Sequence, residues 1–166
     1  KKKLIPHLQK GQKAFLLVID NLRYDQWKAM QPIIEEFYRV EKDEMYYSIL
    51  PSTTQYARNA LFAGLMPLDI KRKYPKLWLN ESHEGTKNKY EGELLGEFLK
   101  RLQKDVKYSY HKILNLNAGK KFVENLSNIN KNDFTAVVYN FVDMISHART
   151  DMEIIRELAE DEAAYR

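Results

Sequence analysis

Two short stretches of the chain are almost entirely apolar. Residues 14–19 read AFLLVI and are followed by Asp20, and residues 134–139 read FTAVVY. Apolar runs of this length, without regular polar alternation, are typical of strands buried on both faces in a parallel sheet. We therefore predict two buried strands at these positions.

The remaining pattern predicts helices and two further strands. Helical spacing of apolar residues is found in residues 25–38, 54–64, 90–102, 120–126 and 151–165. Residues 45–50 are β-prone, and residues 106–114 alternate in a way that predicts a strand nearer a sheet edge. We expect Pro32 to kink or break the first of these helices, Gly64 to end the second, and residues 67–85 to form an irregular surface loop.

Strands that alternate with helices imply βαβ crossover connections. The predicted fold class is therefore α/β, with a mainly parallel sheet and helices on both faces. The length of 166 residues is compatible with a single domain over residues 1–166.

Composition narrows the possible chemistry. The chain has no cysteine, so disulfides, thiolate zinc sites and a cysteine nucleophile are excluded, and a reducing cytoplasm is a compatible location. The net charge of +4 is too small to indicate a nucleic-acid-binding protein. No apolar run approaches the roughly 20 residues of a transmembrane helix, so we expect no membrane insertion.

Several enzyme classes are excluded by their missing motifs. The chain has neither of the glycine-rich phosphate-binding motifs of P-loop and dinucleotide-binding folds, and no G-x-S-x-G nucleophile elbow. An aspartyl-phosphate phosphatase would normally carry a second aspartate where Leu22 stands. The chemistry that remains is metal-assisted attack by a hydroxyl group.

Candidate ligands follow the predicted strands. Asp20, Thr54 and Asp143 all come shortly after a predicted strand, and active sites of open parallel sheets lie beyond the carboxyl ends of the strands. His147 follows Asp143 by four residues, so both could bind one cation, with zinc or manganese suited to the donor set. Alternatives remain open: Asp20 as a turn residue, Thr54 as a helix cap, and Asp143 with His147 as a chance pair.

Three segments together resemble a known family. Residues 16–25 (LLVIDNLRYD), 50–64 (LPSTTQYARNALFAG) and 141–147 (FVDMISH) resemble the PglZ domain of the alkaline phosphatase superfamily. Within that family the chain looks most like the PglZ-type output domain of response regulators of the bacterial type IX secretion system. The resemblance implies an alkaline-phosphatase-like fold.

The resemblance also implies site residues and a cofactor. The superfamily pattern implies two adjacent divalent metals, usually Zn²⁺, with Asp20 and Thr54 as ligands and Asp143 with His147 at the other metal. Thr54 matches the nucleophile of the superfamily. Thr53 is the alternative, because adjacent threonines allow the match to the pattern to shift by one residue. The implied substrates are phosphate diesters, including cyclic or linear oligonucleotides. Arg58, one turn beyond Thr54, is a candidate for contact with phosphate, but we expect an exposed helical arginine.

One departure from the superfamily pattern is clear. The superfamily needs a further Asp-His pair and another histidine later in sequence, but no histidine follows His147. His7, His83 and His111 lie upstream, and we expect His111 at the surface. We therefore expect an incomplete, N-terminal portion of the domain, inactive by itself, with a degenerate domain as the alternative.

Two functions are consistent with these patterns. The first is a zinc-dependent phosphodiesterase or phosphatase that serves as the output domain of a response regulator, with a receiver domain preceding it. The second is a non-catalytic signalling or dimerisation module that regulates a secretion system through protein partners. For both we expect a homodimer, a cytoplasmic location, and secretion-system or transcription partners.

Overall fold

The computed structural model of the protein describes residues 5–79, 87–102, 105–140 and 142–143. The chain divides into two compact units. Unit 1 comprises residues 1–15, 45–110 and 130–135, and unit 2 comprises residues 16–44, 111–129 and 136–166.

The described strands form one three-stranded sheet. Strand β1 is Ala14–Ile19, β2 is Tyr108–Ile113 and β3 is Phe134–Tyr139, and their order in the sheet is β1-β3-β2. The strands predicted within residues 14–19, 106–114 and 134–139 thus all form. Helices surround this sheet, so the predicted α/β fold class is confirmed.

Backbone hydrogen bonds show that the strands are parallel. The Ala14 N–H donates to the Asp133 carbonyl at 2.9 Å, and the Asp20 N–H donates to the Tyr139 carbonyl at 3.1 Å. Both bonds join residues at the same sequence offset, as a parallel register requires. The same holds on the other side of β3, where the Phe134 N–H donates to the Lys107 carbonyl at 3.1 Å and the Asn140 N–H to the Ile113 carbonyl at 2.9 Å.

Burial differs sharply between the two apolar strands. Strand β3 lies in the middle of the described sheet and is buried along almost its whole length, as predicted. The prediction that β1 is buried on both faces is wrong, because Phe15 is 55% exposed and Leu17 is 51% exposed. An edge strand has only one neighbour in the sheet, so an apolar run alone does not reveal how much of it is covered.

Seven α-helices and one 3₁₀ turn are present in the described ranges. They are α1 Ile5–Gln9, α2 Tyr24–Glu35, α3 Thr54–Ala63, α4 Pro67–Lys73, the 3₁₀ turn Pro75–Leu77, α5 Glu91–Arg101, α6 Leu116–Glu124 and α7 Leu126–Ile129. Helix α2 continues through Pro32, and the predicted helix over 151–165 lies outside the described residues. Among the described helices, none combines the length and apolar character needed to cross a bilayer.

Two predicted elements are wrong. Residues 45–50 do not form a strand, and Met45, Tyr46, Tyr47 and Leu50 are all exposed, because β-prone side chains make a strand only where a partner strand pairs with them. The predicted loop over 67–85 begins instead with helix α4. Pro67 lies in its first turn, where the missing N–H of proline costs nothing because N–H groups there have no acceptor within the helix.

Helix α6 begins earlier than the predicted residue 120. The Asn115 side chain accepts a hydrogen bond from the Ala118 N–H at 2.9 Å, which caps the first turn. Asparagine is among the best N-cap residues, because its side-chain oxygen satisfies an N–H group that has no partner within the helix. The cap therefore sets the start of the helix.

The core of unit 1 lies around helices α3, α4 and α5. Ala63, Ile70, Trp78 and Leu94 form its buried apolar cluster. Gly64 ends α3 with a left-handed φ of 60°, as predicted for a C-terminal glycine. A Cβ atom at Gly64 would lie 2.7 Å from the Phe98 ring, so this turn needs glycine both for its backbone and for its close contact with α5.

We expect Gly64→Ala to destabilise the protein by about 2 kcal/mol, from a left-handed backbone penalty of roughly 1–2 kcal/mol and a clash with Phe98. Chemical denaturation measures the loss. Gly11→Ala is the matched control, because Gly11 has a φ of 68° but no atom within 4 Å of a built Cβ. Equal losses in the two variants would show that the contact with Phe98 has no energetic weight.

Candidate active site

Asp20 lies at the carboxyl end of β1, in unit 2. It follows Ile19 directly, its side chain is partly buried, and its N–H is bound to the Tyr139 carbonyl on the neighbouring strand. Asn21 then adopts a left-handed φ of 61°, a conformation that asparagine tolerates better than most residues. The ladder and the turn together fix the backbone of Asp20 at this end of the sheet.

Asp143 also belongs to unit 2. It comes four residues after Tyr139, the last residue of β3, and its side chain is partly buried. Because β1 and β3 are parallel neighbours, Asp20 and Asp143 both follow carboxyl ends of adjacent strands. This is the placement at which ligands bind in open α/β sheets.

Thr54 belongs to unit 1 and is the first residue of α3. Residues 45–50 form no strand, so the position of Thr54 is set by the helix start and not by a strand end as predicted. Thr53 occupies the N-cap position, but its side chain makes no capping hydrogen bond. The Thr54 carbonyl accepts a hydrogen bond from Nδ2 of Asn88 at 2.9 Å.

His147 lies outside the described residues. Within the described ranges, no three histidine, cysteine, aspartate or glutamate side chains group closely enough to hold a metal ion. Asp20 and Asp143 supply carboxylate oxygens, which suit a hard or borderline divalent cation. The donor chemistry of these two carboxylates is thus compatible with a divalent metal ion.

Arg58 differs most from its expected environment. The exposed helical arginine of the sequence analysis is only 5% exposed and forms a two-pronged ion pair with Glu91 on α5. Its Nε and Nη2 atoms each donate to a different carboxylate oxygen at 2.7 Å. The guanidinium of Arg58 thus binds a carboxylate within unit 1.

Glu91 is the centre of a buried polar network. Its side chain is fully buried, and it also accepts hydrogen bonds from Asn88 at 2.9 Å and from the Tyr110 hydroxyl at 2.6 Å. Burial, and then the negative charge of Glu91, raise the pKa of Tyr110 well above its ordinary value, so the phenol stays protonated and donates. A buried charge is tolerated only when it is paired and hydrogen-bonded in this way.

The sequence contains a signal for the Glu91 side of this network but not for the Arg58 side. The buried residues of α3 are Gln55, Arg58, Asn59, Phe62 and Ala63, and those of α5 include Glu91, Leu94, Leu95, Phe98 and Leu99. In α5, Glu91 continues the apolar stripe at helical spacing, whereas three of the five buried residues of α3 are polar or charged. A carboxylate on an apolar helix face indicates a buried polar partner, but the spacing of α3 does not identify Arg58 as that partner.

His111 on β2 also departs from its expected surface position. It is partly buried in unit 2, and its ring meets the Phe122 ring edge-on, with centroids 5.1 Å apart. Desolvation lowers the pKa of His111, which favours the neutral imidazole. This environment indicates a packing role.

A comparison with protein families adds independent information. A family model described as "BREX system PglZ alkaline phosphatase-like domain" matches residues 1–166, the full length of the sequence. No curated protein matches the chain. The match agrees with the resemblance of the three motif segments and with the parallel sheet.

Proposed function

Because the chain belongs to the PglZ family of alkaline phosphatase-like domains, we propose that it acts in metal-dependent hydrolysis of phosphate esters. The observation that carries this proposal is the family match over the whole chain. Asp20 and Asp143 support it, since both stand at carboxyl ends of adjacent parallel strands. The superfamily itself indicates a phosphoesterase-type fold and a hydrolase.

In the proposed site, Asp20, Thr54, Asp143 and His147 would hold up to two Zn²⁺ ions. Bound zinc would lower the pKa of the Thr54 hydroxyl and offset the negative charge of the phosphate. Thr54 begins a helix of 10 residues, and its first turn presents N–H groups and a positive dipole end that stabilise added negative charge. The same turn is thus suited to carry a phosphorylated side chain.

The proposed reaction has two steps. A bond forms between Oγ1 of Thr54 and phosphorus, the bond to the leaving alcohol breaks, and the hydroxyl proton is transferred to the leaving oxygen or to solvent. Water then hydrolyses the phosphothreonine and restores the hydroxyl. Two in-line displacements give net retention of configuration at phosphorus.

The biological setting in the proposal follows from the motif resemblance. In this proposal the chain is the output domain of a PorX-type response regulator of the type IX secretion system and works with a receiver domain. The protein would be cytoplasmic and homodimeric, with secretion-system or transcription partners. The proposed substrates are phosphate diesters, including cyclic or linear oligonucleotides.

A second candidate is a non-catalytic dimerisation or docking module. Met45, Tyr46, Tyr47 and Leu50 favour it, because these four apolar or aromatic side chains are at least 83% exposed in unit 1. Exposed apolar groups close together in sequence are a common feature of protein interfaces. This module would keep partner binding after loss of the metal ligands.

Asp20→Ala, introduced into the complete protein, tests the role of Asp20 as a metal ligand. We expect it to reduce zinc content, measured by elemental analysis, and to slow hydrolysis of bis-p-nitrophenyl phosphate by about 100-fold or more, because an acidic ligand is lost. Asp69→Ala is the control, since Asp69 lies exposed in the first turn of α4. The second candidate would be favoured if the wild-type protein contained no zinc and had no diesterase activity, and if Asp20→Ala still bound the partner.

A further inference from the structure

The first turn of α3 is held from outside the helix. The Thr54 carbonyl accepts the Asn88 side-chain amide at 2.9 Å. In an α-helix the same carbonyl also receives the N–H four residues later, which is that of Arg58. A carbonyl oxygen has two lone pairs, so this second bond adds a constraint that the helix alone does not provide.

Asn88 is itself held in place. It is buried, and its Nδ2 atom donates to Glu91 Oε1 at 2.9 Å as well as to the Thr54 carbonyl. Glu91 is fixed in turn by the ion pair with Arg58 and by the hydroxyl of Tyr110. A continuous set of buried hydrogen bonds therefore leads from α5 and β2 to the backbone of Thr54.

The backbone of Thr54 largely determines where its hydroxyl lies. Threonine is β-branched, and within a helix its χ1 angle is restricted to two main rotamers. A shift of the first turn would therefore carry the hydroxyl with it. For a reacting group, a displacement of about 1 Å can cost about 100-fold in rate.

We propose that Asn88, supported by Glu91, is a positioning residue that fixes the backbone and hydroxyl orientation of Thr54. The consequence for catalysis rests on the proposed function, in which Thr54 is the nucleophile. Asn88 donates to the carbonyl oxygen and not to the hydroxyl, so its effect acts through the placement of Thr54. The carbonyl contact leaves the hydroxyl available for chemistry.

Asn88→Ala removes this contact. We expect kcat for bis-p-nitrophenyl phosphate to fall by about 10- to 100-fold with KM changed less than about 2-fold, since a misplaced nucleophile slows the reaction step. We also expect the Arg58 amide to exchange with deuterium about 10-fold faster relative to the Phe62 amide, measured without substrate.

Asn59→Ala is the matched control. Asn59 lies on the same helix, is 1% exposed, and donates to the carbonyl of Lys87 in the turn that also carries Asn88. Asn59→Ala loses a buried amide of the same kind, but that amide donates to Lys87 and not to Thr54. We expect lower stability in urea, with kcat and the Arg58-to-Phe62 exchange ratio unchanged.

The two readouts separate this proposal from the proposed function. If the Arg58 exchange ratio and kcat in Asn88→Ala match those of Asn59→Ala, positioning by Asn88 is overturned while hydrolysis stands. If Thr54→Val retains activity, the nucleophile assignment fails, and the exchange ratio still decides whether Asn88 fixes the first turn. If Asn88→Ala does not fold, the same kcat and amide-exchange measurements are made on Asn88→Ser.

Discussion

Thr54→Val should abolish phosphodiester hydrolysis, with a loss of at least about 10³-fold in kcat, because no hydroxyl remains to attack phosphorus. Valine has nearly the size and shape of threonine, so the start of α3 keeps its packing. The contact with Asn88 also remains, since it involves the backbone carbonyl. Steady-state kinetics with bis-p-nitrophenyl phosphate, alongside a circular dichroism spectrum, measures the effect.

Two neighbours provide the comparison. Ser52→Ala should keep wild-type turnover, because Ser52 is exposed and precedes the helix. Thr53→Val separates the two adjacent threonines: loss of activity there, with Thr54→Val active, would move the nucleophile by one residue. An inverted configuration in a chiral phosphorothioate product would exclude the double-displacement reaction altogether.

Glu91→Gln should destabilise the protein by about 3–5 kcal/mol, because it leaves the Arg58 charge buried without its partner. Arg58 and Glu91 have side chains 6% and 0% exposed, so water cannot substitute for the lost carboxylate. The free energy of unfolding from urea titration measures this loss. Its size is a large fraction of the roughly 5–15 kcal/mol that stabilises a typical domain.

Glu97→Gln on the same helix is the control. Glu97 pairs with Lys100 at 2.8 Å, but the lysine side chain is 76% exposed, and surface pairs contribute about 0–1 kcal/mol. The double variant Arg58→Met with Glu91→Leu should recover part of the loss, since no unpaired charge stays buried. A loss in Glu91→Gln no larger than in Glu97→Gln would show that the buried pair does not stabilise unit 1.

Local patterns were sufficient for some elements and not for others. Strand β3 forms over residues 134–139 as predicted, and Gly64 ends α3, because both depend on nearby residues. The burial of β1 depends on which strands lie beside it, and an apolar run does not contain that information. Residues 45–50 have strand-like composition, but the described chain pairs no other segment with them.

In the candidate site, too, some features depend on local sequence and others on tertiary packing. The positions of Asp20 and Asp143 follow from where β1 and β3 end, so they could be predicted from the sequence. The contact between Arg58 and Glu91 joins residues 33 positions apart on separate helices. The inward face of α5 can be predicted from its apolar spacing, but that of α3 is mostly polar, and tertiary packing decides which faces meet.

The order of the strands has a consequence for how the protein folds. In the order β1-β3-β2, the central strand Phe134–Tyr139 comes after both of its neighbours in sequence. During synthesis, neither Ala14–Ile19 nor Tyr108–Ile113 can complete this described sheet until the central strand has left the ribosome. Closing such long loops before any pairing forms is entropically costly and slows folding. Phe15 and Leu17 stay more than half exposed even after this pairing, so the late arrival of β3 completes the hydrogen bonds of β1 without covering these two side chains.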